Sequence, residues 1–218
     1  MKNNHTTVDK IANFLRIEIT YSNLKSGEHL KESEVAKKFS VSRVPVRESF
    51  RILQSEGYLD LIPNRGSFVK KISRSHIFET ALVYKLLSPV VLEVAIPKYK
   101  EQTYKKAREI LRQVDKCKDF NQVGYLLWDF AKIIYGPSKL KFMLDLFDDM
   151  YRHNIRMLNE IFEMKQHQHY NTTNHRNFLK LCKMKKKEEA IKLWNKHINE
   201  IEQISLNGHE KKTIEKIK

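Results

Sequence analysis

The stretch ESEVAKKFSVSRVPVRESFRILQSEGY, residues 32–58, holds two helical patterns separated by only a few residues. In ESEVAKKF, the apolar Val35, Ala36 and Phe39 fall on one side of a short helix, and we expect Ser33 to cap its start. SVS interrupts this helix before the second pattern begins. Two helices joined by so short a break predict a helix-turn-helix unit.

The second helix has an apolar face and clear end signals. Val46, Phe50 and Leu53 recur at helical spacing, and Gly57 suits a C-terminal cap. We expect this helix to begin near Ser42, because the serine hydroxyl can accept a hydrogen bond from the free N–H groups of the first turn.

Three arginines lie along one side of this second helix. Arg43, Arg47 and Arg51 are four residues apart, so they share one face. In helix-turn-helix geometry the second helix enters the major groove with its N-terminal side chains on base edges, and arginine suits a bidentate contact with guanine. We predict such contacts for Arg43 and Arg47, whereas Arg51 reaches the DNA backbone or pairs with Glu48 or Asp60. The alternative is a solvated face that binds nothing.

A hairpin follows the two helices. YLDLI and SFVKKI have the composition of short strands, and PNRG joins them in a tight turn with Pro63 and Gly66. Arg65 and Gly66 at the tip suit entry into a minor groove, because glycine removes the steric bar and arginine supplies the charge. An amphipathic helix near residues 7–23 and a turn around Gly27 come before the helix pair. This order of elements predicts a winged helix-turn-helix.

The charge balance favours a polyanion as partner. The chain of 218 residues has 41 Lys and Arg against 26 Asp and Glu, a net charge of +15. No apolar run approaches the ~18 residues of a spanning helix, and MKNNHTTVDK lacks the core of a signal peptide, so we expect a cytoplasmic protein without a membrane partner. Cys117 and Cys182 lack metal-binding spacing and are expected to be reduced thiols.

The rest of the chain predicts helices only. The predicted helices are Ile77–Ala95, Tyr104–Lys116, Phe120–Tyr135, Lys139–Phe162, a segment near His169–Met184, and Lys187–Ile204. We therefore predict a mainly α fold, with an N-terminal winged helix-turn-helix domain at residues 1–74 followed by an all-α helical bundle at residues 75–218.

The run LKSGEHLKESEVAKKFSVSRVPVRESFRILQSEGYLDLIPNRGSFV resembles the winged-helix domain of the GntR family of bacterial transcription regulators. It has the family's Leu-x-x-Gly turn, VSRxPVRE stretch, LxxEG helix end and P-x-x-G wing. The resemblance implies a homodimer that binds a palindromic operator in double-stranded DNA. The residues that fall on the family's DNA-contacting positions are Ser42, Arg43, Pro45, Arg47 and Gly66. Val44 stands where the family often has Thr, which removes a hydroxyl and alters base preference.

The helical part resembles the FCD effector domain of the FadR-like branch of that family, on order, size and the closing segment NHRNFLKLCKMKKKEEAIKLWNKHI. Many FCD domains hold a zinc-like metal through an Asp and a His one turn apart and two later His. His175 and His197 fall on the two later positions and are the only metal candidates that the resemblance provides, whereas Leu127 and Ala131 stand at the first two. We therefore disfavour a bound divalent metal.

A metal-free pocket between the same helices is the expectation that remains. It would take a small-molecule effector such as a carboxylate, using His175 and His197. Arg152 and Arg156 would hold an anionic ligand, or alternatively form a solvated helix face.

These features together predict a DNA-binding transcription regulator, a repressor, in which an effector in the helical domain modulates DNA affinity. The alternative is an architectural or constitutive DNA-binding protein whose helical domain only dimerises. We do not predict an enzyme, because the sequence contains no GxSxG, no HExxH and no phosphate loop.

Overall fold

The computed structural model describes residues 6–71, 73–164 and 170–215, and within them the side chains of residues 74, 77, 120, 121, 153, 156–164 and 205–215 lie outside the description. The chain divides into two compact units, Met1–Ile72 and Ser73–Lys218.

The first unit combines three helices with a small sheet. Its elements are α1 (Thr7–Thr20), β1 (His29–Leu30), α2 (Glu32–Phe39), α3 (Arg43–Ser55), β2 (Leu59–Ile62) and β3 (Gly66–Val69). The strands are antiparallel in the order β1-β3-β2, and Ile62 lies opposite Gly66 next to the hairpin turn. Strand β1 was not predicted, because two residues are too few to show an alternating pattern.

The ends of α1 follow from local chemistry. The Thr6 hydroxyl accepts a hydrogen bond from the Asp9 N–H (3.1 Å), and the Asp9 carboxylate accepts one from the Thr6 N–H (3.0 Å), which is a capping box. The helix ends at Thr20, earlier than the predicted residue 23, and Ser22 has a left-handed backbone with a φ of 60°.

Helix α3 ends as its sequence predicts. The Gly57 N–H donates to the Gln54 carbonyl (2.9 Å) and the Tyr58 N–H to the Leu53 carbonyl (2.8 Å), with Gly57 at a φ of 78°. This is the Schellman arrangement, in which glycine supplies the left-handed residue.

Both predicted serine caps are wrong. Ser42 occupies the N-cap position of α3, but its hydroxyl makes no capping hydrogen bond. Helix α2 begins at Glu32 with Lys31 as its N-cap, so Ser33 lies within the first turn. Glu32 and Glu34 place negative charge in that turn, where it interacts favourably with the helix dipole.

Helix α3 is fixed against α1 in the core of the first unit. Val46, Phe50 and Leu53 are almost completely buried. The buried Ser49 hydroxyl lies 2.9 Å from the Val8 carbonyl of α1, and the Arg16 guanidinium forms a two-pronged ion pair with Glu56 just beyond α3. Apolar packing and these two polar contacts together set the orientation of α3.

Over its described residues, the second unit contains helices and no strands. Its helices are α4 (Arg74–Ala95), α5 (Glu101–Lys116), α6 (Phe120–Tyr135), α7 (Lys141–Met164), α8 (Thr173–Lys183) and α9 (Lys187–Glu215), with short 3₁₀ turns at Ile96–Lys98 and Gly136–Ser138. Their core contains Phe130, Phe147, Phe178 and Trp194. Helix α4 packs on α9, α5 on α6, and α8 on α9.

Helix α4 is apolar on two sides. Val91, Leu92 and Ala95 are buried in the bundle, while a stripe of four large apolar side chains is exposed on other faces. This stripe, called the α4 stripe below, consists of Phe78, Leu82, Leu86 and Val90. The segment Phe78–Lys98, with a mean hydropathy of 1.5, is long and apolar enough to cross a membrane by length and composition. The prediction that no segment approaches that length is therefore wrong.

Two phenylalanines of α7 provide a matched test of this packing. Phe147 is completely buried, whereas Phe142 is 82% exposed. Phe147→Ala is expected to lower the free energy of unfolding by about 3–5 kcal/mol, because it removes buried contacts and leaves a cavity. Phe142→Ala is expected to change it by less than about 0.5 kcal/mol. Urea unfolding followed by tryptophan fluorescence measures both, since Trp128 and Trp194 lie in the second unit. Equal effects of the two substitutions would contradict this packing.

Candidate functional site

A tight turn connects α2 to α3 in the first unit. Ser40 ends α2 in a left-handed conformation with a φ of 53°, and the Val41 N–H donates to the Ala36 carbonyl at 3.0 Å. This turn lets α3 start within three residues of the end of α2 and completes the helix-turn-helix.

The outer face of α3 carries most of the predicted DNA contacts. Arg43, Val44, Arg47 and Arg51 are exposed, as is Ser42 at the N-cap, while Pro45 is half-buried. Proline fits at this third helical position because the first-turn N–H groups have no intrahelical partner to lose.

Arg47 is held by a carboxylate that the sequence pattern did not indicate. Its Nε donates to both oxygens of Glu32, at 3.0 and 2.8 Å. This contact joins the first turn of α2 to α3 and uses only the side of the guanidinium. The two terminal nitrogens of Arg47 have no partner among the described residues, and they are the atoms that form a bidentate contact with guanine.

The other predicted arginines are unrestrained. Arg43, Arg51 and Arg65 are exposed, and no described residue forms a hydrogen bond or ion pair with their side chains. The predicted pairing of Arg51 with Glu48 or Asp60 is therefore wrong. Its exposed guanidinium pairs with no described carboxylate and stays available to an external anion.

The hairpin between β2 and β3 has a strained, closely fitted turn. Asn64 has a φ of 59° and Gly66 a φ of 101°, and the Arg65 N–H donates to the Ile62 carbonyl at 3.0 Å. A Cβ atom at Gly66 would lie 2.5 Å from Nε2 of His29, whose ring stacks on Phe68. The positive φ at Gly66 therefore favours glycine, and a larger residue would also have to displace the His29 ring; the turn presents Arg65 at its tip.

The second unit contains a cavity of about 140 Å³ among α4, α6, α7, α8 and α9. His175 and His197 line it, together with Leu127 and Ala131. The structure thus brings together the four positions that the resemblance to FCD domains compares. Five aromatic side chains also line it, from Tyr84, Tyr135, Tyr151, Tyr170 and Trp194.

The two histidines are close neighbours in an apolar setting. Their ring centroids lie 4.6 Å apart, and both side chains are buried. Burial lowers the pKa of His175 well below its usual value, and the nearby His197 lowers it further. Burial also lowers the pKa of His197 to about 4, although the Glu200 carboxylate acts in the opposite direction. Both imidazoles are therefore neutral at pH 7.

One polar atom in this region is unsatisfied. Nδ1 of His175 is buried and has no hydrogen-bond partner. Nδ1 of His197, in contrast, lies 3.5 Å from the Asn174 amide nitrogen. An unpaired buried ring nitrogen is costly unless something else binds to it.

The donor set does not fit a divalent metal. The described residues contain no group of three or more His, Cys, Asp or Glu placed to hold an ion. Leu127 and Ala131 present only carbon to the cavity, and Glu202, which also lines it, forms an ion pair with Lys85 (2.8 Å). Two imidazoles alone fall short of the three or four ligands of a zinc site.

The predicted arginines do not join the histidines. Arg152 forms an ion pair with Asp148, one turn earlier on α7, and is not among the residues that line the cavity. Asp148 in turn accepts a hydrogen bond from the Trp128 indole (3.0 Å), which holds the carboxylate away from the cavity. The grouping of Arg152 with His175 is therefore wrong. The side chain of Arg156 lies outside the described residues.

The aromatic wall was not predicted. Tyr84, Tyr135 and Tyr151 come from three helices, and each resembles an ordinary core position in its own helix. A signal was present in the number of tyrosines at buried helical positions, since a buried tyrosine hydroxyl needs a partner. Only the tertiary packing shows that these side chains surround one space.

Comparison with known proteins identifies the first unit. Residues 7–69 match the family described as bacterial regulatory proteins, gntR family. The chain is 41% identical over 68 residues to the HTH-type transcriptional repressor RspR of Escherichia coli K12, which covers 31% of this chain and 30% of that protein. It is 38% identical over 84 residues to the gluconate operon transcriptional repressor of Bacillus subtilis, covering 38% of this chain and 34% of that protein. The chain thus matches about a third of the length of each of these two relatives.

Solved structures extend the likeness of fold to the whole chain. A structure described as a putative transcriptional regulator GntR from Rhodococcus sp. RHA1 has a TM-score of 0.80 at 19% identity, covering 92% of this chain and 97% of that one. E. coli McbR/YncC has a TM-score of 0.77 at 18% identity, covering 94% and 99%. The helical unit therefore shares its architecture with these proteins. Residues 7–69, which include the helix-turn-helix, match the gntR family of bacterial regulatory proteins.

Proposed function

We propose that this protein is a DNA-binding transcription regulator that reads an operator with α3 and the β2–β3 wing. The observation that carries the proposal is the exposed row of Arg43, Arg47 and Arg51 on the second helix of a gntR-type helix-turn-helix. The face opposite this row is buried, so α3 can enter a major groove without disturbing the core.

Each arginine has a distinct role in this proposal. Arg43 and Arg47, at the start of α3, contact base edges, and Ser42, Val44 and Pro45 lie against the same groove. Arg51, one turn further along, contacts a phosphate. At the wing, Arg65 enters the adjacent minor groove, and Gly66 allows the close approach.

Repression is the regulatory direction that the relatives favour. Two curated relatives that match the N-terminal domain are named as repressors. A repressor acts on DNA, so we place the protein in the cytoplasm.

The α4 stripe supports a homodimer. Its four side chains follow one another at intervals of four residues, and Leu86 is 64% exposed. A contiguous apolar stripe on a helix is normally buried against a partner, and this chain leaves the α4 stripe exposed. A second copy of the same helix offers an identical apolar surface, which a two-fold axis can bring into contact. Lys85 beside the stripe is already paired with Glu202, so no unpaired charge at this position opposes the contact.

A dimer gives the helical unit a regulatory role. Two copies of α3 must match the spacing of two half-sites in a palindromic operator, and a small rotation between the copies weakens DNA affinity steeply. An effector bound in the cavity, close to α4, would favour one arrangement of the dimer over the other.

The base-reading role is tested with single substitutions. Arg43→Ala and Arg47→Ala are each expected to weaken binding to the preferred duplex, selected from a random library, by ~1–3 kcal/mol, because each removes a bidentate contact. Arg112→Ala, which removes an equal charge from an exposed position on α5, is the control and is expected to leave binding unchanged. Quantitative mobility-shift titrations at fixed salt measure all three.

Two results would contradict the base-reading role of these arginines. In one, both arginine variants bind the selected duplex as tightly as the parent. In the other, the parent protein binds all duplexes equally and with a steep salt dependence, which is the behaviour of an architectural DNA-binding protein.

The dimer is tested on the α4 stripe. The parent protein is expected to sediment at twice the chain mass of 26.0 kDa. The double substitution Leu82→Glu/Leu86→Glu is expected to produce monomers, because four carboxylates would be brought together in an apolar contact. Phe142→Glu, at an equally apolar and more exposed position on α7, is the control and should leave the mass unchanged. A stripe variant that stays dimeric would place the interface elsewhere.

The buried histidines make the helical unit sensitive to pH. A folded-state pKa of about 4 for His197, below the unfolded value of 6.5, means that the unfolded chain binds more protons at acid pH. Stability is therefore full above pH 6.5 and is lost as the pH falls towards 4. His197 alone accounts for about 2 kcal/mol by pH 5, and His175 adds to it. Urea unfolding by tryptophan fluorescence at pH 7, 6 and 5 measures this loss. His197→Gln should give a shallower profile, and a flat profile in the parent protein would show that the ring is not buried as described.

A further inference from the structure

We infer that the cavity of the helical unit binds a neutral, mostly apolar molecule of about the size of one ring, which carries a hydroxyl group and needs no metal ion. This inference rests on the proposal that the helical unit senses a ligand, and it names the chemical class of that ligand. It replaces the carboxylate that the resemblance to FCD domains suggested.

The size of the space sets the size of the ligand. The cavity measures about 140 Å³, close to the ~150 Å³ of an engineered apolar cavity that binds benzene. Its walls are the aromatic faces of Tyr84, Tyr151 and Trp194 with the aliphatic Leu127 and Ile198. Flat aromatic walls favour a flat apolar guest through dispersion and stacking contacts.

Three of the four tyrosine hydroxyls in the wall are already hydrogen-bonded within the protein. Tyr84 donates to the Phe147 carbonyl (3.1 Å) and Tyr151 to the Gly124 carbonyl (2.9 Å). The hydroxyl of Tyr135 lies between Ser88 (2.8 Å) and the Trp194 indole nitrogen (2.6 Å). These three groups stabilise the walls and leave little polarity facing the space.

The imidazole of His175, which lines the cavity, is the group that selects a polar group on the ligand. It lies buried among aromatic rings, and neither of its ring nitrogens has a hydrogen-bond partner in the described part of the chain. A ligand hydroxyl can donate to the ring nitrogen that faces the cavity or accept from it, so it satisfies either tautomer of the neutral ring. Binding would thus relieve an unpaired polar group, which a purely apolar ligand cannot do.

Charge argues against an anionic ligand. The described residues that line the cavity include no Lys or Arg, and the one carboxylate among them, Glu202, is neutralised by Lys85. A ligand carboxylate would lose its hydration without gaining a cation, and it would lie in the same space as Glu202. A metal ion cannot supply the missing positive charge, because the described residues around Leu127 and Ala131 offer it only two imidazoles.

The test uses three ring compounds of similar size and the two indole signals of the full-length protein. Phenol carries the hydroxyl, toluene lacks it, and benzoate carries a charge. The indole N–H of Trp194 reports from the cavity wall, and that of Trp128, which does not line the cavity, is the internal control. Titrations of ¹⁵N-labelled protein in EDTA give the dissociation constant for each compound.

Phenol is expected to shift the Trp194 signal selectively and to bind about three to ten times more tightly than toluene, since one net hydrogen bond separates them. Benzoate is expected to cause no shift. His175→Phe keeps an aromatic ring at this position and is expected to abolish the preference for phenol while toluene still binds. The inference is overturned if benzoate binds better than phenol, if Zn²⁺ is needed for any of them to bind, or if phenol leaves the Trp194 signal unmoved.

These measurements are independent of DNA. A cavity that fails to bind phenol leaves the mobility-shift results for Arg43→Ala and Arg47→Ala unaffected, so the ligand class and the regulator assignment can fail separately.

Discussion

The buried apolar stripe of α3 is the contact on which the rest of the first unit depends. Val46, Phe50 and Leu53 lose essentially all of their solvent exposure, and each such burial contributes roughly 1.5–3 kcal/mol before the entropy of ordering is counted. Because a helix has one rotational setting for a given buried stripe, this packing also decides where the arginines point. The same residues that hold the domain together therefore aim its outer face.

Sequence patterns were sufficient to predict most elements of the first unit, because these elements are local. The two helices of the pair, the glycine that ends α3 and the hairpin turn all follow from residues within a few positions of one another. The helices of the second unit were also found, with ends displaced by a few residues. Helix α5, for example, begins at Glu101, where the Lys100 N–H donates to the Thr103 hydroxyl at 3.2 Å, before the predicted start at Tyr104.

Features that join distant parts of the chain were missed. The Glu32–Arg47 pair links residues fifteen positions apart, and strand β1 exists only because β3 lies beside it. Arg152 was predicted to lie with the histidines, although it forms an ion pair with Asp148, one turn away on the same helix. The polar surroundings of a side chain are decided by neighbours that the linear sequence does not identify, whereas its burial is often visible in the pattern.

In the second unit, apolar residues occupy the two positions at which FCD domains have an Asp and a His. Leu127 and Ala131 do not simply vacate a metal site, since both are buried and contribute to the wall of an apolar space. His175 then faces the aromatic rings of Phe130 and Trp194, whereas the Glu200 carboxylate still acts on His197.

If Arg47 reads operator DNA as proposed, the carboxylate of Glu32 also affects how the protein searches a genome. A negative charge next to Arg47 repels the phosphates of any duplex that is out of register, so this arginine contributes little to loose, sequence-independent attachment. When the guanidinium meets a guanine edge, the carboxylate instead holds the fork in the required plane. The ion pair thus lowers the sequence-independent affinity for DNA and increases the discrimination between sites. This shortens the time that the protein spends on the many wrong sites of a chromosome.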